Sequence, residues 1–269
     1  MKKAILSGFI LFASLNLFAQ KSFLKFQVGY AFPIVNATLS SNTSQTSTAS
    51  TVSGVYGSYG SGLQFEVGYE YALSEKISLQ MDALYLIGND VKRNTFFSVN
   101  GNTFSQNQSI SSRFYEIAPL IKFNIVSKKL ITPYAVIGPT IGFGNFTNTV
   151  TTPGSITSQN EEYLRNFSGP IALGAKSGVG VKFTKGAFDF YAQVTLINIS
   201  FSPSSSEITR YSVGGVDNLK NLTVRQKQTN YKENVAFSTN PDTTKPAEEL
   251  KFYFPLSSIS LNIGFLVKL

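Results

Sequence analysis

Between residues 114 and 143 the chain alternates apolar and polar positions with a period of two, twice over. Tyr115, Ile117, Ile121, Phe123 and Ile125 share one face, and Glu116, Ala118, Lys122 and Asn124 the other. After Ser127, Lys128 and Lys129, the second run places Ala135, Ile137, Ile141 and Phe143 together, opposite Tyr134, Gly138, Thr140 and Gly142. Successive side chains of a strand point to opposite faces, so this pattern predicts two antiparallel strands around a tight turn. One face is oily and the other wet, which is what a sheet between two unlike surroundings requires.

The same pattern recurs along the chain and gives eight strands. They fall at residues 23–32, 63–73, 77–87, the pair within 114–143, 171–183, 187–199 and 259–269. Each has about the ~9–11 residues that a tilted membrane-spanning strand needs. The segments between them alternate strictly between long and short. Residues 36–61, 89–112, 145–169 and 202–249 are the long ones and read as loops without periodicity, the first flexible and rich in serine and threonine. Residues 252–256 are expected to prolong the last strand above the membrane. Short turns on one side and long loops on the other are the habit of transmembrane barrels. The prediction is an all-β fold: an eight-stranded antiparallel transmembrane barrel with short periplasmic turns, four long extracellular loops and both termini periplasmic.

Composition supports this over a soluble barrel with its faces exchanged. Charged residues make up 14% of the 269 and aromatic residues 13%, and the mean hydropathy is +0.03. That balance is too sparing of charge for a typical soluble domain and too polar for a helical membrane protein. Residues 1–19 combine Lys2 and Lys3 with an apolar run and a small residue at Ala19, the form of a secretory signal peptide. Its removal, with two lysines, would take the formal net charge from +8 to +6. Residues 20–269 then form one barrel domain in the outer membrane.

The run Glu116-Ile117-x-Pro119-Leu120-x-Lys122-Phe123-Asn124, with Pro133-Tyr134, Gly138-Pro139 and Gly178-Val179-Gly180-Val181, resembles the outer-membrane β-barrel domain family of diderm bacteria. That family is often labelled porin family and includes PorT-like proteins. The resemblance implies the barrel fold. It implies no single activity, because fold and function separate in such families.

Ten charged residues are expected on the inward faces: Lys25, Glu66, Glu70, Asp82, Glu116, Lys122, Lys176, Lys182, Asp189 and Lys268. Five acids and five bases in a barrel barely wide enough for its own side chains should pair into a plug. The chain has no histidine and no cysteine, which removes the usual general base, thiol nucleophile and thiolate metal ligand. No enzyme activity, cofactor or metal is expected. Basic residues such as Lys92, Arg93, Arg113, Arg165, Arg210, Arg225 and Lys227 are spread over the loops, which argues against nucleic acid. Those near the membrane surface are candidate partners for lipopolysaccharide phosphates, beside the lipid of the outer membrane itself.

Pro119 and Pro139 fall nearly opposite one another in the 114–143 hairpin, where neither can donate a ladder hydrogen bond. A bulge or a skipped bond is expected there, and the flank is a candidate docking surface for a protein partner in the membrane. Three roles follow from these observations. The favoured one is a non-enzymatic structural, accessory or surface-interaction protein with a plugged interior. The alternatives are a narrow porin-like channel for small solutes and an adhesin or ligand-binding protein acting through the long loops.

Overall fold

The computed structural model describes residues 22–34, 38–46, 49–99, 102–125, 130–154, 159–185, 188–236 and 239–269. The predicted signal peptide and the predicted turn positions 127–129 and 186 lie outside the described residues. In chain order the strands are β1 (Ser22–Pro33), β2 (Thr38–Gln45), β3 (Ser50–Tyr56), β4 (Gly62–Ala72), β5 (Ile77–Gly88), β6 (Val91–Val99), β7 (Asn102–Asn124) and β8 (Ile131–Thr152). They continue as β9 (Glu161–Ser168), β10 (Ala172–Lys185), β11 (Phe188–Phe201), β12 (Ser205–Val213), β13 (Val216–Asp217), β14 (Gln228–Lys232), β15 (Ala247–Leu250), β16 (Phe254–Pro255) and β17 (Ser258–Lys268).

Eight of these close a ring in the order β1, β4, β5, β7, β8, β10, β11, β17, every pairing antiparallel. The first and last strands zip together from Phe23 opposite Lys268 to Pro33 opposite Ser258. Each ring strand overlaps one of the eight predicted segments. Closure leaves no sheet edge in the membrane, where an unpaired backbone group has no water to turn to.

Face alternation is strict along the ring. Leu63, Phe65, Val67, Ile117, Ile121, Phe190, Leu261 and Ile263 are exposed, while Gln64, Glu66, Glu116, Lys122, Tyr191 and Asn262 are buried inside. On the outer wall Tyr85, Tyr115 and Phe143 stack across three adjacent strands, with centroid separations of 4.7 and 5.5 Å.

The long segments are not structureless, contrary to the sequence expectation. β7 and β8 continue unbroken beyond the ring, for 23 and 22 residues in all. On them grows a sheet in the order β3, β2, β6, β7, β8, β9, β12, β14, β15, with β13 folded against the end of β12. The β2–β3 hairpin occupies most of residues 36–61. Its serine, threonine and valine residues suit an extended, half-solvated surface, and β6 already supplies a strand to pair with. The segment shows no alternation because serine and threonine occupy both of its faces, even though Leu39 packs against the core of the mouth.

Residues 252–256 lie beyond the start of β17. They prolong the last strand as expected: β16 pairs with Ser200 and Phe201 of β11 in the same register as β17, and Phe254 and Leu256 are buried in the mouth of the barrel.

Candidate functional site

Four strands bring the mid-height charges together. Lys25 Nζ on β1 donates to Glu66 Oε1 at 2.6 Å and to Asp82 Oδ2 at 2.9 Å. Lys176 on β10 reaches the other Glu66 oxygen, and Asp82 Oδ2 at 3.3 Å. Gln80 Nε2 donates to both Asp82 oxygens, at 2.7 and 2.9 Å. β4 and β10 stand four places apart in a ring of eight, so the Lys176–Glu66 pair crosses the whole lumen. All four charged side chains are buried. Buried charges hold such positions when opposite charges and hydrogen bonds compensate them together.

Nearer the turn end, Lys122 Nζ donates to Glu70 Oε2 at 2.8 Å and sits 4.4 Å from the Tyr134 ring centroid. Lys182 pairs with Asp189 at 3.2 Å. Glu116 is buried, accepts a hydrogen bond from Thr140 Oγ1 at 3.2 Å, and has no ion pair among the described residues. Lys268 shares the inward parity, but it lies at the turn end and is exposed. The expected ten-member network is therefore three separate groups joining eight charges, with Glu116 beside them and Lys268 outside.

Two apolar layers bracket these charges, and the alternation did not reveal them. At the turn end Phe23, Ala118, Leu120, Tyr134, Val136, Tyr191 and Leu266 pack together. At the loop end Leu84, Leu86, Phe114, Phe146, Phe201, Phe254 and Leu256 belong to a larger core. Phe146 stacks on Phe254 at 4.3 Å and on Phe201 at 5.1 Å, and Tyr59 meets Phe254 edge-on at 5.1 Å. Backbone bonds latch the strap that carries Phe254. Tyr59 N donates to Pro255 O at 2.9 Å, and Leu256 N to Ile199 O at 3.0 Å. Gly60 is required at this latch, because any Cβ there would overlap the Leu256 carbonyl. Burial raises the Tyr59 hydroxyl to about 12, so it stays neutral at physiological pH. One sequence signal does mark the layer. Residues 83–87 on β5 read Ala-Leu-Tyr-Leu-Ile, apolar on both faces, as a strand buried on both sides should.

A hydrogen-bonded polar chain leads from Tyr134 of the turn-end layer to β11 and β17. Tyr134 Oη donates to Gln193 Oε1 at 2.9 Å, Gln193 Nε2 to Thr195 Oγ1 at 2.7 Å, and Asn262 Nδ2 to Thr195 Oγ1 at 3.0 Å. The lumen is thus occupied from end to end.

On the outer wall the β7–β8 ladder pairs Ile117 with Ile141, resumes at Ile121 with Ile137, and is broken between them. Keeping that register puts Pro119 opposite Pro139. In an antiparallel ladder alternate residue pairs exchange both of their bonds. Two prolines at such a pair remove both N–H groups, and the three-residue gap follows. No bulge forms, because the register resumes unchanged. Outside the gap lies a concavity of about 690 Å³ lined by Tyr69, Tyr71, Met81, Pro119, Ile121 and Pro139, among others.

The loop cations do not converge. Arg93 donates to Ser40 Oγ at 3.2 Å, Arg165 to Thr229 Oγ1 at 3.3 Å, and Arg210 pairs with Glu162. Arg113 is exposed on the outward face, two residues beyond Tyr115.

A crystal structure of Neisserial surface protein A (NspA) aligns over 92% of this chain and 97% of its own, at 11% identity and a TM-score of 0.39. No curated protein matches the sequence. The model of the family described as outer membrane protein beta-barrel domain matches residues 18–204, about 70% of the chain and seven of the eight ring strands, all but β17. The chain belongs to the outer membrane protein beta-barrel domain family.

Proposed function

We propose that this protein is a closed, non-catalytic barrel that anchors a surface sheet in the outer membrane and works through that sheet by binding other molecules. The observation that carries the reading is the filled lumen. An ion pair joins opposite walls at mid-height, and an aromatic layer sits in the mouth. A solute path would require both to be displaced. The absence of histidine and cysteine from the whole sequence supports a non-enzymatic role. On this reading the turns and both termini face the periplasm and the sheet built on β7 and β8 stands outside. Arg113, beyond the aromatic stack, is the cation we assign to lipopolysaccharide phosphates. The test is a planar lipid bilayer carrying the purified full chain. Silence at about 100 mV, a typical membrane potential scale, is the expected result; steady single-channel steps from the unaltered protein would overturn it.

The concavity at Pro119 and Pro139 favours a second reading, an accessory subunit that docks its wall against a larger membrane partner. Its test is extraction in mild detergent. A stoichiometric partner lost on substituting Met81→Trp, which fills the concavity, would support it, and a lone chain of single-barrel mass would not.

A further inference from the structure

The sheet above the ring ends in two strands, and the chain treats them differently. β15 borders only β14 among the described residues. It carries Glu248 and Glu249, with Glu248 paired to Lys232 at 2.5 Å. Charges on an edge discourage further pairing. β3, at the opposite end, borders only β2 among the described residues. No charged residue and no proline occurs anywhere in residues 36–61, so two of the usual edge protections are missing, and the irregularity of this ladder lies in β2, between Thr38 and Ser40.

The side chains of β3 add a second observation. Val52 is 64% exposed and Tyr56 62% exposed. They share a face with Gly54 between them, and the Tyr56 ring lies over that glycine. A strand laid alongside would meet an apolar row at alternate positions and an open line of backbone donors and acceptors. Only another extended backbone satisfies such a line with the right repeat.

Strand direction narrows the occupant. β2 runs parallel to β6, β6 antiparallel to β7, and β3 antiparallel to β2, so β3 points the same way as β7. Two copies upright in one membrane, related by rotation about its normal, would bring their β3 strands together in parallel, the weaker pairing. A different polypeptide has no such constraint.

We propose that β3 is a strand-addition site for an extended, uncharged segment of a partner protein, lying antiparallel to it with β-branched or aromatic side chains at alternate positions. This rests on the surface-sheet reading above. The probe is a fluorescein-labelled seven-residue peptide alternating threonine and valine, added to the full chain in lipid nanodiscs. The control peptide has two of its valines replaced by proline. Saturable binding is expected, with slowed amide exchange across Ser50–Tyr56 and none gained at Ala247–Leu250. The proline peptide and the Val52→Lys variant should bind at least about tenfold more weakly, a loss of ~1.4 kcal/mol. Unchanged exchange in Thr38–Gln45 confirms that the variant keeps its hairpin; Thr51→Lys serves if it does not. Equal binding of the proline peptide, or protection appearing elsewhere, overturns the site. So does dimerisation through β3 without peptide. A silent barrel that ignores the peptide defeats this site alone, whereas a conducting barrel that binds it at β3 defeats the closed-lumen reading alone.

Discussion

Glu66 and Lys176 lie on strands that face each other across the ring, yet their side chains form one ion pair inside the lumen. No backbone ladder joins β4 to β10. The pair, with Lys25 and Asp82, is a cross-brace between walls otherwise linked only around the circumference. That arrangement decides which substitutions should matter.

Lys176→Met should be severely destabilising. It leaves Glu66 and Asp82 to share Lys25, and removing one partner of a buried ionic group typically costs about 3–5 kcal/mol. Urea titration of the full chain in vesicles, followed by circular dichroism, measures this. Combining Lys176→Met with Glu66→Gln should recover part of the loss, since the second change removes the stranded charge. Equal or greater loss in the double variant would mean that the brace does not act through charge.

Glu116→Gln should behave in the opposite way from Glu66→Gln. Glu116 holds a hydroxyl and no base, so an amide can keep the Thr140 contact while discarding a buried acid. We expect a change within about 0.5 kcal/mol or a gain in stability for Glu116→Gln, against a loss of about 3–5 kcal/mol for Glu66→Gln. The same urea titration ranks the two, and a reversed order would sink the assignment of charge partners.

Phe254→Ala should cost about 3–5 kcal/mol, the usual range for an aromatic deleted from a packed core, because Phe254 is 3% exposed and stacks on Phe146. It should nevertheless leave the protein silent in a planar bilayer. The ion-paired layer lies below the mouth and still crosses the lumen. Single-channel steps from this variant would show that the aromatic layer alone closes the barrel.

Replacing Pro119 and Pro139 together by alanine returns two N–H groups to facing positions. Each restored bond should contribute about 1 kcal/mol, and the new amides at 119 and 139 should exchange slowly with deuterium. Fast exchange at both would place the prolines outside a reciprocal bonding pair and leave the ladder gap to another cause, such as the close approach of Gly138 to the Pro119 carbonyl.

Much of this architecture was legible in the sequence, and the reason is physical. A ring strand separates lipid from a wet interior, so each residue is forced to one side and the period of two is written plainly from Leu63 to Tyr71 and from Ile259 to Leu269. The inward charges followed from the same parity, and so did their capacity to pair; which acid meets which base did not, because Glu66 and Lys176 are 110 positions apart. Lys268 kept the parity but lies too near the rim to be enclosed. The mouth was hidden for a related reason. Phe254 arrives from a distant segment, and Ile197 and Ile199 look like a strand end until Phe254 and Leu256 cover them. The upper sheet was hidden because its buried face mixes polar side chains such as Asn148, Ser206 and Thr229 with Phe146, Phe167 and Tyr231, and so shows no oily alternation.

β7 and β8 run on without interruption from the ring into the sheet above it. At ~3.3 Å per residue a 22-residue strand is ~70 Å long, and ~9–11 residues suffice to cross the hydrocarbon. Roughly a dozen residues, ~40 Å along the strand, therefore project as a stiff mast rather than a tether. A molecule held at its tip is kept at a fixed stand-off from the membrane. Any pull on it passes as shear into the same two strands whose ladder is interrupted at Pro119 and Pro139.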